Sequence, residues 1–139
     1  MSAKDLYHQT VKQALVKAGW TITHDPLPLK WAKRNLSVDL GAERLIAAEQ
    51  NHRKIAVEVK SFLSESRIAD LEQALGQYIL YNDILQRNEP ERELYLAIPI
   101  IAFENLFEGE RFGDILLENK RLKLIIFNPE AEDIVQWIT

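Results

Sequence analysis

Residues 54–62 read Lys54-Ile55-Ala56-Val57-Glu58-Val59-Lys60-Ser61-Phe62, or KIAVEVKSF. Ile55, Val57 and Val59 recur with the period of a strand, which sends Ala56, Glu58 and Lys60 to the other face. The pattern predicts a strand over 53–60. A long helical pattern follows, and a helix lying across the strand would enclose the face that carries the acid and the base. Charges lose hydration in such a layer, so Glu58 and Lys60 call for an explanation.

Downstream, Ile68, Leu71, Leu75, Tyr78, Ile79 and Leu85 fall on one helical stripe that begins at Ser66 or Asp70 and ends near Arg87. ELYLAIP (93–99) predicts a strand stopped by Pro99. Residues 101–119 predict one or two short helices interrupted near Gly109 and Gly113, and LKLIIF (122–127) and DIVQWI (133–138) predict closing strands. Upstream, Leu6, Tyr7, Val11, Ala14, Leu15 and Ala18 predict a helix over 4–18, with Gly19 as its stop. WTIT (20–23) reads as a short strand ended by the HDPLP turn. LSVDLGAE (36–43) and RLIAAEQ (44–50) read as the two strands of a hairpin. No repeat, linker or low-complexity tract divides the chain. The expectation is one domain over 1–139, an α/β fold with a mixed β-sheet flanked by helices.

The totals narrow the function. The chain has 139 residues, 47% hydrophobic and 27% charged, enough for a sizeable core. No cysteine is present, which excludes a disulfide framework and a thiolate metal site. The apolar runs are too short to span a bilayer, and the N-terminus lacks a signal-peptide layout, so a soluble cytoplasmic protein is expected. A net charge of −4 argues against strong non-specific DNA binding by the chain as a whole. Two local basic patches remain, LKWAKR (Lys30, Lys33, Arg34) and KRLK (Lys120, Arg121, Lys123). Trp31 lies inside the first and could stack on a base.

A second acid stands alone in an apolar stretch upstream: Asp39 in SVDLGAE, where alternation would point Val38 and Leu40 one way and Asp39 the other. If that strand neighbours 53–60, Asp39 and Glu58 converge. Two carboxylates held that close repel unless a proton or a cation lies between them. Mg²⁺ or Mn²⁺ suits such a pair, being oxygen-seeking and usually held by one or two carboxylates with water and phosphate oxygens. Lys60 beside them would position a water or steady phosphate charge. Together these are the parts of a metal-assisted phosphodiester hydrolysis site. Glu58 bonded to Lys60 as a plain salt bridge is the simpler alternative.

The arrangement Asp39…Glu58-x-Lys60 resembles the PD-(D/E)xK nuclease superfamily, the restriction-endonuclease-like fold, with Val38 where that name has a proline. QYILY (77–81) resembles the Gln-x-x-x-Tyr motif of its RecB-like branch. The resemblance implies that Gln77 and Tyr81, one helical turn apart, contact metal or DNA. That branch often carries a histidine ligand in its first helix, which implies His8 as a metal ligand, with Asp5 on a similar face. Glu49 is a further acid that could join the site. Asp25 and His24 read as turn residues, Ser61 as a phosphate contact or strand cap, and Ser64 and Ser66 as helix-capping residues.

Over more than half the chain, KDLYHQTVKQALVKAGWTITHDPL, VDLGAERLIAAEQ, KIAVEVKSFL and DLEQALGQYILY resemble the XisH family of fdxN-element excision controlling factors. The resemblance implies a cyanobacterial protein needed for programmed DNA excision during heterocyst development. It also implies an XisI-like companion protein and a separate site-specific recombinase as partners. Two functions stand against each other: a metal-dependent endonuclease or nicking partner, and a non-catalytic nuclease-fold scaffold that binds DNA, XisI or the recombinase. ELYLAIPIIAF and DIVQWIT offer apolar surface for a homodimer or, equally, for core.

Overall fold

The computed structural model describes residues 6–46, 51–109 and 113–139. In chain order the elements are α1 (His8–Lys17), β1 (Thr21–His24), β2 (Leu27–Trp31), β3 (Arg34–Val38), β4 (Leu40–Ile46), β5 (Asn51–Val59), α2 (Arg67–Asn88), β6 (Arg92–Pro99), α3 (Ile100–Phe103), α4 (Asp114–Glu118), β7 (Leu124–Asn128) and β8 (Asp133–Ile138). Between α3 and α4 runs a wider, π-helical turn (Glu104–Gly109).

The expected strand is β5, and it sits inside a six-stranded sheet of order β1-β4-β5-β6-β7-β8. β5, β6 and β7 are parallel neighbours, while β1–β4, β4–β5 and β7–β8 pair antiparallel. Parallel strands need a long crossover, and α2 supplies it between β5 and β6. Covered on both faces, β6 reads as an unbroken apolar run from Leu94 to Ile98, all buried. Of ELYLAIPIIAF, Leu94–Ile98 is therefore core, while Glu93 is half-buried and Ile101 is exposed.

Alternation along β5 divides the interior into two layers. Ile55, Val57 and Val59 meet Val11 and Leu15 of α1 together with Trp20, Leu40, Tyr95 and Phe127. Ala56, on the face that also bears Glu58, meets Leu71, Ala74 and Tyr78 of α2 together with Leu94, Leu96 and Ile126. Burial of each large aliphatic side chain contributes roughly 1.5–3 kcal/mol. Ser66 caps α2 by accepting the Ala69 N–H at 3.2 Å. Tyr78 ties α2 to the sheet, donating to the Leu94 carbonyl at 3.0 Å and accepting the Lys123 N–H at 3.2 Å. On α2 the buried stripe includes Ile84, whereas Ile79, expected inside, is 46% exposed.

Upstream of β5 the expectation is corrected. Residues 36–43 and 44–46 do not form a hairpin with each other, and 47–50, the rest of the expected second strand, lie outside the described residues. Leu40–Ile46 is one strand, and it pairs with β5 from Leu40↔Val57 to Ile46↔Asn51. Glu43-Arg44 has no turn chemistry, so nothing stops the strand there. Residues 34–38 pair back onto Leu27–Trp31 as a separate two-stranded ribbon, β2–β3. Two prolines disguised β2 in the sequence. Pro28 fits because this ribbon strand has an open edge and asks nothing of the missing N–H.

Candidate active site

Asp39 occupies the bend between β3 and β4, and the bend decides its surroundings. Val38 is buried in the α2 layer and Leu40 in the α1 layer. The expectation that Val38 and Leu40 point the same way is therefore corrected: the chain crosses from one side of the sheet to the other at Asp39. The β4–β5 ladder ends at Leu40↔Val57. Immediately beyond it, side chains replace backbone partners. Glu58 Oε1 accepts the Asp39 N–H at 3.2 Å, and Asp39 Oδ2 accepts the Val59 N–H at 2.7 Å. The convergence of Asp39 and Glu58 is real, and each carboxylate is anchored on the other's strand.

Lys60 is the third member. Its Nζ lies 3.9 Å from Glu58 Oε2, and its own N–H is held by the Ala97 carbonyl at 3.0 Å. Glu58 is only 6% exposed. Burial, then the Asp39 charge beside it, push the Glu58 carboxyl from its ordinary 4.5 up to about 8, while Lys60 pulls the other way. One ammonium at 3.9 Å does not satisfy two adjoining carboxylates.

From α2, Tyr81 is half-buried, and burial followed by the charges of Glu58 and Asp39 raises its hydroxyl pKa. The phenol is therefore a neutral donor within electrostatic reach of both acids. Gln77 stands one turn earlier on the same face, its Oε1 buried and without a hydrogen-bond partner among the described residues. A buried amide oxygen in that state is an acceptor waiting for a donor or a cation.

A pocket of about 250 Å³ opens beside Lys60, lined by Ser61, Phe62, Leu63, Ser64, Asp70 and Gln73. Phe62, at φ 57°, holds a left-handed backbone that a non-glycine residue rarely adopts. Asp70, read in the sequence only as a possible helix start, and Gln73 were not expected at the site. The signal was available, because 70, 73, 77 and 81 form one stripe at helical spacing.

His8 is placed elsewhere. Its Nε2 lies 2.7 Å from Asp25 Oδ1, and Lys12 donates to Asp25 Oδ2 at 2.9 Å. Asp25 thus clasps α1 to the turn after β1, in keeping with its reading as a turn residue. His8 Nδ1 is buried without a partner among the described residues. Among those residues no third His, Asp or Glu gathers with Asp39 and Glu58 into a metal-holding group. The geometry therefore gives the expected ligand role of His8 no support. Asp5 and Glu49 lie outside the described residues. Asp39 and Glu58 are the oxygen donors that fit a divalent cation, with the Gln77 oxygen on the adjoining helix.

The sequence model of the XisH protein family matches residues 1–135. The chain belongs to the XisH family. Its fold recurs in crystal structures of an XisH family protein from Nostoc punctiforme and of an fdxN element excision controlling factor protein from Anabaena variabilis. The first is 44% identical, with a TM-score of 0.84, over 97% of this chain and 100% of that one. The second is 42% identical, with a TM-score of 0.83, over 96% and 98%. Comparison with curated proteins gives no match. Among the described residues no helix of this XisH family chain is long and apolar enough to cross a membrane.

Proposed function

We propose that this XisH family chain acts on DNA in programmed element excision through a metal-dependent, nuclease-like site, hydrolysing or nicking a phosphodiester. The observation that carries the reading is the Asp39–Glu58 pair, two carboxylates anchored on each other's strands, one of them buried and lacking an adequate counter-charge. A strand that needed only stability would keep apolar side chains at such positions. Membership of a family that includes an fdxN element excision controlling factor supports DNA as the substrate.

Asp39 and Glu58 would hold Mg²⁺ or Mn²⁺, which would supply Lewis-acid polarisation of the phosphate. The chain's own residues have separate tasks. Asp39 and Glu58 fix the charge at the end of the β4–β5 ladder, on rigid backbone. Lys60 sets an ammonium at its edge, suited to steadying developing phosphate charge. Gln77 and Tyr81 offer a carbonyl oxygen and a neutral hydroxyl from α2 to hold substrate. An XisI-like companion and a recombinase would complete the reaction in the cell.

The scaffold reading draws on the net charge of −4 and on the structural bonds that both carboxylates already make. One assay separates the two: purified protein with supercoiled plasmid, linear duplex and branched DNA, in Mg²⁺ and Mn²⁺, with and without the companion. Cleavage that disappears in Glu58→Gln and Lys60→Ala supports the nuclease. No cleavage by folded protein in any of these conditions leaves the fold as a binding platform.

A further inference from the structure

The β2–β3 ribbon carries a concentration of positive charge that the site does not use. Lys30 and Trp31 end β2, Ala32 and Lys33 make the turn, and Arg34 opens β3. Ala32 takes φ 53°, which lets a two-residue turn project the tip tightly. Lys30, Lys33 and Arg34 are all exposed, and none forms an ion pair with a described residue. In the other basic patch Lys123 is bound to Glu93 at 3.4 Å, which leaves two cations there, Lys120 and Arg121, without an ion pair among the described residues, against three on the ribbon. In a chain of net charge −4, three unneutralised cations within five residues are a local exception.

The ribbon is also firmly mounted. Asn88 at the end of α2 donates to the Lys30 carbonyl at 2.9 Å. Arg87 sets its guanidinium 5.4 Å from the Trp31 ring, which stays 43% exposed. A shallow pocket between Trp31 and α2 is lined by Leu80, Asp83, Ile84 and Arg87, with Asp83 its only acid. β3 then runs without a break into Asp39. Five strand steps from Arg34 to Asp39 span about 17 Å, roughly half of the 34–36 Å turn of duplex DNA. A duplex lying over the carboxylate pair would meet the ribbon tip about half a turn further along.

We infer that the β2–β3 ribbon is a duplex-DNA clamp, in which Lys30, Lys33 and Arg34 bind backbone phosphates and so set where on the duplex the Asp39–Glu58 site falls. This rests on the reading that DNA reaches that site. The partner is a phosphate backbone because the cations are exposed and unneutralised, and binding to phosphate needs charge rather than shape.

The test measures anisotropy of a short fluorescein-labelled duplex against the full chain over a range of NaCl, for wild type and for Lys30→Ala/Lys33→Ala/Arg34→Ala. The triple variant should bind at least tenfold more weakly. Its salt slope should be shallower by about 0.9 for each phosphate that the ribbon no longer neutralises. Lys120→Ala/Arg121→Ala should match wild type, and Mn²⁺ should raise the melting temperatures of wild type and of the triple variant alike. Wild-type affinity and slope in the triple variant overturn the clamp, as does a wild type that binds no duplex. Loss of binding in the triple variant, with no metal-induced stabilisation and no cleavage by wild type, upholds the clamp while the nuclease reading fails. Normal cleavage and binding by the triple variant does the reverse.

Discussion

Glu58 accepts the backbone N–H of Asp39, and Asp39 in turn accepts the N–H of Val59, the residue after Glu58. The two acids are built into the end of a β-ladder. Their positions do not depend on flexible side-chain reach, so the site has its geometry before any ligand arrives.

Divalent metal should stabilise the protein through that pair. At free Mn²⁺ 100 times its Kd, wild type gains about 2.7 kcal/mol, read as a rise in melting temperature. Asp39→Asn and Glu58→Gln should abolish the rise. Asn is the cleaner change at 39, because its carbonyl can still accept the Val59 N–H. An undiminished rise in both variants would place the cation elsewhere.

Glu58 also predicts a pH signature. Its folded pKa is raised from 4.5 to about 8, so the folded state keeps this proton to higher pH than the unfolded chain. The stability it contributes is complete below about 4.5, declines as pH climbs, and is gone above about 8. Glu58→Gln should flatten the profile across that window. Near pH 8 without metal it should be more stable than wild type, by on the order of 1–3 kcal/mol. Saturating Mg²⁺ should flatten the wild-type profile too, since metal displaces the proton. Denaturant unfolding at several pH values provides the measurement, and matching profiles for wild type and variant would mean that Glu58 is ionised throughout.

Lys60→Ala separates chemistry from binding. Cleavage should fall by roughly 10²–10⁴-fold, while the Mn²⁺ stabilisation persists because the carboxylates remain. Single-turnover cleavage and melting on the same preparation show both. A variant that cuts normally would reduce Lys60 to a charge partner of Glu58.

Asp25→Ala tests the clasp on α1. Removing it leaves the buried His8 Nε2 without its partner and should cost about 1–3 kcal/mol. Asp25 titrates below its ordinary 3.8: burial would raise it, but the hydrogen bonds and charges of Lys12 and His8 outweigh burial. Its contribution is therefore present above 3.8 and lost as pH falls through the lower folded value. Thermal melts at neutral and acidic pH should show a variant defect that narrows on acidification. Metal stabilisation should be unchanged; its loss would bring His8 back to the metal.

Tyr78 and Tyr81 should behave differently although both belong to QYILY. Tyr78→Phe removes a buried hydroxyl that bonds two backbone groups and should destabilise by about 1–3 kcal/mol. Tyr81→Phe should leave melting nearly unchanged and weaken cleavage or DNA binding. Urea unfolding beside the cleavage assay distinguishes them.

Much of this was legible locally. Alternation in KIAVEVKSF identified β5 and the shared face of Glu58 and Lys60. The stripe from Leu71 to Leu85 identified α2 and set Gln77 and Tyr81 together. Both signals repeat within a few residues, and period alone determines which side chains share a face. The run LPLKWAKRNLSV was harder. Pro26 just before it and Pro28 within it obscured the alternation, and its pairing is within the ribbon and not with the main sheet.

What the sequence determined by itself, then, was the strand with its acid and base, the helix that covers it, and the lack of any thiol chemistry. Tertiary structure alone decided that β4 pairs with β5, that the chain crosses the sheet at Asp39, and that His8 bonds Asp25. The division has a physical cause. Periodicity is written into neighbouring residues, whereas partner choice depends on competition among distant segments for the same core and the same hydrogen bonds. Asp39 meets Glu58 because β4 wins the place beside β5, and no local pattern at either residue specifies that.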